Sequence, residues 1–166
     1  MPDQTTMREL FQMAIAAERA AETLYHGFQA QFAHHPAAAD FWAAYAAQED
    51  SHAQCIERLQ KEQTAEQLAA PAHPRVLSQV RQALTFSVED ALAEIETLED
   101  AYQLANELES AETNAIFDFL ITNFSTDTKA QAFMRAQLKD HVAKLTTEFP
   151  DPLRHPTLRV AIKAKK

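Results

Sequence analysis

Residues 41–60, FWAAYAAQEDSHAQCIERLQ, place two polar side chains on the apolar side of a helix. The run contains no glycine or proline and is rich in alanine and glutamine, which lose little conformational freedom in a helix. Tyr45, Ile56 and Leu59 follow the spacing of one buried face. Glu49 and His52, three positions apart, lie on that same face. A buried carboxylate and imidazole are costly unless they are paired or bind a metal ion, so the segment predicts a helix with a polar site inside it.

The composition of the whole chain predicts an all-α fold. The 166 residues are enough for one domain with a sizeable core, and they include only one glycine and no alternating Val/Ile/Thr runs. A net charge of −9 disfavours a nucleic-acid partner, and the single cysteine excludes an internal disulfide. No apolar run approaches the ~20 residues of a membrane span, and MPDQTTMREL lacks the layout of a secretory signal. We therefore expect a cytoplasmic protein with no membrane partner.

Four long helices are predicted, at about residues 6–33, 38–63, 87–121 and 127–148. Thr6-x-x-Glu9 fits a capping box at the start of the first helix, and Ser87-x-x-Asp90 resembles a cap at the start of the third. The proline-containing stretch before residue 87 predicts a long crossover connection with a short helix. Residues 1–149 form the bundle in this prediction. Residues 150–166 form a basic tail, which either folds over the acidic body or binds an acidic partner.

The two halves of the predicted bundle resemble each other. Glu18 is the one charged residue in an apolar stripe of the first helix, and Glu99 has the same place in the third. His52 and His141 occupy inward positions of the second and fourth helices. The stripe of the third helix comprises Val88, Leu92, Ile95, Glu99, Tyr102 and Asn106, and that of the fourth comprises Phe133 or Met134, Leu138, His141, Val142 and Leu145. Two antiparallel pairs joined by a long crossover would bring the polar positions together at mid-height.

Four segments resemble the rubrerythrin group of the ferritin-like superfamily: AIAAERAAETLY (14–25), FWAAYAAQEDSH (41–52), IETLEDAYQLAN (95–106) and FMRAQLKDH (133–141). The resemblance covers about residues 6–148 and implies a ferritin-like four-helix bundle. It implies one or two iron ions, with zinc or manganese as substitutes, held by Glu18, Glu49, His52, Glu99 and His141. Glu49 would bridge two metals. It also implies an oxidoreductase that reduces peroxide or dioxygen, and a homodimer.

Two departures from the family pattern leave alternatives open. The second Glu-x-x-His motif of the family would need a glutamate three residues before His141, where this chain has Leu138. The loss of that carboxylate makes a mononuclear or zinc site, in a non-catalytic bundle for metal handling or a scaffold, the alternative function. Cys55 is the single cysteine, so the Fe–S₄ module of full-length rubrerythrins cannot form.

Several neighbouring residues have a structural and a functional interpretation. Glu96 could lend an oxygen to the metal, although its charged neighbours favour a solvated face. Glu109 continues the stripe but lies ~15 Å from Glu99 along a helix, which predicts that it is too distant to coordinate. Tyr25 and Tyr102 could donate hydrogen bonds to ligating carboxylates, although core packing is the commoner role. Cys55 is expected to be a small buried apolar residue. The aromatic residues of TNAIFDFLITNF (113–124) could line a dimer interface.

Overall fold

The computed structural model describes residues 4–110 and 113–149, except for the side chains of residues 110 and 113, and these residues form helices without a β-strand. The prediction of an all-α fold is therefore confirmed. The helices are α1 (Met7–Gln31), α2 (Pro36–Glu62), α3 (Ala65–Ala69), α4 (Pro74–Ala83), α5 (Val88–Glu94), α6 (Leu98–Ser110), α7 (Thr113–Phe124) and α8 (Thr128–Thr147). The predicted basic tail lies outside the described residues.

Helices α1 and α2 form an antiparallel hairpin that carries half of the predicted site. The capping box at the start of α1 is present: Thr6 Oγ1 accepts a hydrogen bond from Glu9 N, and Glu9 Oε2 accepts one from Thr6 N. At the start of α2, His35 Nδ1 accepts a hydrogen bond from Ala38 N. Both helices begin and end within two residues of the predicted bounds. The sequence signals at the helix ends therefore predicted the bounds of this hairpin correctly.

The crossover between α2 and α5 contains two helices, α3 and α4, where one short helix was predicted. Thr64 and Gln67 form a capping box at the start of α3, and Pro74 occupies the first turn of α4, where its missing N–H is not needed. The amino-terminal segment pairs with this crossover, because Ala72 N donates to Thr5 O and Met7 N donates to Ala70 O. These contacts attach the crossover to the start of α1.

The predicted helix over residues 87–121 is wrong as one continuous element, because α5 ends at Glu94 and α6 begins at Leu98. Thr97 Oγ1 accepts a hydrogen bond from Asp100 N, while Asp100 Oδ2 accepts hydrogen bonds from the backbone N–H groups of Glu96 and Thr97. This reciprocal arrangement is that of a helix amino terminus. Thr97 and Asp100 therefore cap a new helix, and α6 is an element separate from α5.

Helix α8 is held to the rest of the molecule by few side chains. Asp127 caps its amino terminus by accepting hydrogen bonds from Lys129 N and Ala130 N. Only His141 and Leu145 of this helix are buried. Val142, predicted to face inward, is 38% exposed, so the prediction is wrong for this residue. Of the alternatives Phe133 and Met134, Phe133 is 63% exposed, whereas Met134 packs against the apolar core.

The core consists of two apolar clusters with a polar layer between them. One cluster joins the first half of α1 to the second half of α2, α4 and α7; the other joins the second half of α1 to the first half of α2, α6 and the end of α8. Gly27 lets α5 approach α1 closely, because a Cβ at this position would lie 2.6 Å from both Cδ atoms of Leu92. None of the described helices combines the length and the apolar character needed to cross a bilayer.

Candidate metal site

Five ionisable side chains meet in the layer between the two apolar clusters: Glu18, Glu49, His52, Glu109 and His141. Each is buried, and His141 has no exposed surface. Helices α1, α2, α6 and α8 supply them, so the site depends on the association of four helices. Four of the five residues were predicted as metal ligands from the sequence, and Glu109 takes the place expected for Glu99.

Glu49 is the centre of this arrangement, because its two carboxylate oxygens face different histidines. Oε1 lies 2.8 Å from His141 Nε2, and Oε2 lies 3.2 Å from His52 Nδ1. The side chains of Glu49, His52 and His141 each offer a ligand atom within 4.8 Å of the others. This placement would allow one carboxylate to contact two cations.

A second carboxylate accompanies each histidine. Glu18 Oε2 lies 3.7 Å from His52 Nδ1, and Glu109 Oε1 lies 3.2 Å from His141 Nε2. Tyr25 supports Glu109 by donating a hydrogen bond of 2.7 Å to the same Oε1, and Asn114 Nδ2 donates one of 3.3 Å to Oε2. The layer thus contains two groups, each with two carboxylates and one imidazole, that share Glu49.

The orientation of His141 leaves one ring nitrogen without a hydrogen-bond partner. Gln48 Oε1, which can only accept, lies against Nδ1, so Nδ1 carries the proton in the neutral ring. The ring stacks on Tyr45 at a centroid distance of 4.0 Å, and Tyr45 Oη donates to the backbone oxygen of His141. Nε2 is fully buried and makes no hydrogen bond of acceptable geometry, although two carboxylate oxygens lie close to it. In the neutral ring, its lone pair is available to a cation.

The charges of the site depend on one another. Burial raises the pKa of Glu18 to about 8, with a further contribution from the charge of Glu49. Burial opposes ionisation of Glu49, but its contacts with His141 and His52 outweigh burial and lower its pKa below the ordinary value. Burial also opposes protonation of the histidines; contacts with acidic groups outweigh it and raise the pKa to about 10 for His52 and about 9 for His141. Without a metal, protons on the histidines and on Glu18 neutralise the layer.

A cavity of about 30 Å³ adjoins the acidic side of the layer. Glu18, Glu49 and Glu109 line it together with Tyr25 and Asn114. This volume exceeds the ~10–15 Å³ that one water molecule needs, so the cavity has room for a water or a small ion among three carboxylates. Alanine, phenylalanine and leucine side chains complete the wall.

The structure does not bring Glu99 to the other four predicted ligands. Glu99 is buried near the start of α6, ten residues before Glu109, which corresponds to about 15 Å along the helix. The hydrophobic spacing predicted correctly that Glu99 is buried, but the predicted position of Glu99 along the helix relative to His141 is wrong. Glu109, which the sequence-based prediction placed too far away to coordinate, lies 3.2 Å from His141 Nε2, so that prediction is wrong. The sequence does contain a sign of this difference, because Thr97-x-x-Asp100 is a capping pattern that predicts the start of a new helix at Leu98.

The remaining residues with two sequence-based interpretations do not lie among the candidate ligands. Glu96 is exposed, as its charged neighbours indicated. Leu138 is half-buried against the apolar cluster that contains Phe117. Cys55 is a buried free thiol in the same cluster, and burial raises its pKa. Tyr102 packs on Phe149, whereas Tyr25 combines core packing with the hydrogen bond to Glu109. The donor role considered for the two tyrosines is therefore observed for Tyr25.

Comparison with protein-family models, with curated proteins and with solved structures finds no match for this chain.

Proposed function

We propose that the polar layer binds divalent metal ions. The observation that carries this proposal is the buried Nε2 of His141, which makes no hydrogen bond of acceptable geometry and lies 2.8 and 3.2 Å from oxygens of Glu49 and Glu109. A neutral imidazole lone pair beside two carboxylates is unfavourable in the metal-free protein and requires a proton there. A cation among these three atoms removes the repulsion without that proton.

The residues fit such a cation in number, type and spacing. Ligand atoms that share an ion at bond lengths of about 2.0–2.2 Å lie about 2.8–3.6 Å apart when the angles between bonds are near 90–110°. The contacts of Glu49 with the two histidines are 2.8 and 3.2 Å. Three carboxylates and two imidazoles suit iron, manganese or zinc. The two groups that share Glu49 favour two ions over one.

The proposal extends to a ferritin-like bundle of the rubrerythrin type with iron in the site, as the resemblance of its sequence segments implies. A bound ferrous ion would supply electrons for the reduction of peroxide or dioxygen. Within the chain, Tyr25 and Asn114 orient Glu109, and Gln48 and Tyr45 orient His141. Burial keeps bulk water from the carboxylates, and Glu18 is the group suited to hold a proton near neutral pH. We also propose a cytoplasmic homodimer.

A non-catalytic metal-binding bundle is the second candidate. Leu138 favours it, because this residue occupies the position of a carboxylate that would help to neutralise two ions in an active family member. Glu109 supplies a carboxylate from a different helix to the same side of the layer. The two candidates therefore agree on metal binding and differ in turnover, and the second needs only one ion or zinc for metal handling or a scaffold role.

Metal titration of the full chain tests the common part of both candidates. We expect ferrous, manganous or zinc ions to bind with a defined ratio, and Glu49→Gln to weaken binding at least 100-fold because it removes a ligand from both groups. Glu109→Gln should weaken binding and Glu99→Gln, a buried residue of the same helix, should not. Isothermal titration with circular dichroism to verify helicity measures this. Equal metal binding by wild type and Glu49→Gln would refute the proposal.

Turnover separates the two candidates. The protein loaded with ferrous iron under anaerobic conditions should consume hydrogen peroxide in stoichiometric amounts and develop ferric absorbance if it is an oxidoreductase. The Glu49→Gln protein with the same amount of added iron controls for the reaction of free iron with peroxide. Iron that binds but is not oxidised faster than in this control would support the non-catalytic bundle.

A further inference from the structure

We propose that a groove between α2 and α8 binds a small, uncharged aromatic molecule with hydroxyl or carbonyl groups. The groove has a volume of about 460 Å³, within the range of small-molecule sites. Leu59 and Cys55 of α2, Phe117 of α7, and Phe133 and Met134 of α8 supply its apolar surface. We call it the α2–α8 groove. It is distinct from the small cavity among the glutamates.

The aromatic character of the ligand follows from the side chains that lack a partner. Phe133 is 63% exposed, the larger value of the two exposed large apolar residues in the described chain. It lines the same groove as Phe117 and Met134. A flat ring in this groove would cover Phe133 and contact the Met134 thioether, and both interactions are favourable beyond the area buried.

The charge of the groove favours a neutral ligand. Arg58 and Glu62, one turn apart on α2, carry opposite charges, and Asp127 uses a carboxylate oxygen to cap α8. Ser51, Gln54, Ser125 and Gln137 add uncharged donors and acceptors. A ligand with hydroxyl or carbonyl groups could use these amides and hydroxyls without burying an unpaired charge.

The position of the groove links it to the polar layer. His52 lines its inner end, and the His52 ring lies 4.8 Å from the Phe117 ring between centroids. A second cavity of about 220 Å³, lined by Gln48 and Lys144, also touches His52 and shares Ser51 and Gln137 with the groove. The two cavities are therefore neighbours along the seam between α2 and α8. A ligand in the groove would lie against the histidine, whether or not metal is bound.

Titration of the metal-free full chain with 2-naphthol tests the proposal independently of metal binding. We expect saturable binding by calorimetry, at least fivefold tighter than binding of 2-naphthoate or of 2-naphthylmethylamine, which carry one negative and one positive charge. Decahydro-2-naphthol, similar in size but without an aromatic ring, should also bind at least fivefold more weakly. Tighter binding of either charged compound, or equal binding of the saturated alcohol, would overturn the assigned ligand class.

Variants of α8 locate the binding. Ala130→Trp fills the groove and should weaken 2-naphthol binding at least 10-fold, and Phe133→Ala should weaken it about fivefold. Val142→Ala is the matched control, because Val142 is an exposed apolar residue of the same helix that lines a different cavity. Circular dichroism verifies that each variant is folded. Unchanged binding by folded Ala130→Trp, or equal loss in Val142→Ala, would overturn the proposal.

Discussion

Tyr25 connects the aromatic core to the polar layer through one hydroxyl group. Its ring has no exposed surface and stacks on Trp42, while its hydroxyl donates to Glu109 Oε1. Burial and the nearby charge of Glu109 raise the pKa of Tyr25 well above its usual value, so this hydroxyl stays protonated and remains a donor. A single oxygen atom therefore positions a proposed metal ligand on another helix.

Removal of this oxygen should affect both stability and metal binding. We expect Tyr25→Phe to lower the free energy of unfolding of the metal-free protein by about 1–2 kcal/mol, because a buried carboxylate loses one of its two donors. Metal affinity should fall about 10–100-fold. Urea denaturation and calorimetric titration measure the two effects. Tyr102→Phe, a buried tyrosine two turns before Glu109, should keep wild-type metal affinity; a similar loss in both variants would contradict the role of Tyr25.

At the level of helices, the cap formed by Thr97 and Asp100 determines where α6 begins. Asp100 Oδ2 accepts hydrogen bonds from the backbone N–H groups of Glu96 and Thr97. These N–H groups lie at the start of the helix, where no helical carbonyl is available to accept from them. We expect Asp100→Ala to lower the free energy of unfolding by about 1 kcal/mol in urea denaturation. Glu96→Ala, an exposed neighbour, should change it little. Equal stability of Asp100→Ala and wild type would show that the cap is not needed.

Metal binding should have its largest effect on α8. Few side chains hold this helix, and His141 is its one residue in the polar layer. We expect amide hydrogens of α8 to exchange faster than those of α1 in the metal-free protein, and addition of metal to slow exchange in α8 most. Hydrogen-exchange mass spectrometry of the two forms measures this. Equal protection of α8 with and without bound metal would contradict ligation by His141.

The helices and the site differ in how far the sequence predicted them. The caps at Thr6, Ser87 and Asp127 and the prolines at 36 and 74 are local signals, and they locate helix ends correctly. Hydrophobic spacing placed Glu18, Glu49, His52 and His141 on inner faces. Hydrophobic spacing predicts which face of a helix is buried, but it does not predict how far that helix is shifted along its axis relative to its neighbours. Glu99 and Glu109 are both buried. Which of the two reaches His141 depends on the packing of α5 and on the new helix start at Thr97.

At the scale of the whole molecule, the metal-free protein contains a buried layer whose charge depends on pH. The pKa values of His52 and His141 are raised to about 10 and about 9, so both stabilise the fold fully below pH ~6.5 and lose this contribution as pH rises through those values. Glu18, with its pKa raised to about 8, stabilises the fold fully only below its unfolded value near 4.5 and loses this contribution as pH rises from there to about 8. Glu49, with a lowered pKa, stabilises the fold above its unfolded value near 4.5.

These shifts predict the pH dependence of thermal stability. We expect the melting temperature of the metal-free protein to be highest at about pH 4.5–5, where Glu49 is ionised and the loss from Glu18 has only begun, and to fall continuously towards pH 10. Excess divalent metal should reduce the fall, because metal replaces the protons and binds more tightly as the histidines lose them. Calorimetric scans at several pH values, with and without metal, measure this. A melting temperature that rises between pH 7 and 9 without metal would contradict the shifts.

The close approach of α1 and α5 at Gly27 has a consequence for evolution of this chain. Leu92 fits against a helix surface that lacks a Cβ, and this fit seats α5 before the chain turns at Thr97 into α6. A larger side chain at position 27 would first meet the flexible end of Leu92, so Leu92 would have to turn to another rotamer. We therefore expect positions 27 and 92 to change together, with a bulkier residue at 27 accompanied by a smaller one at 92.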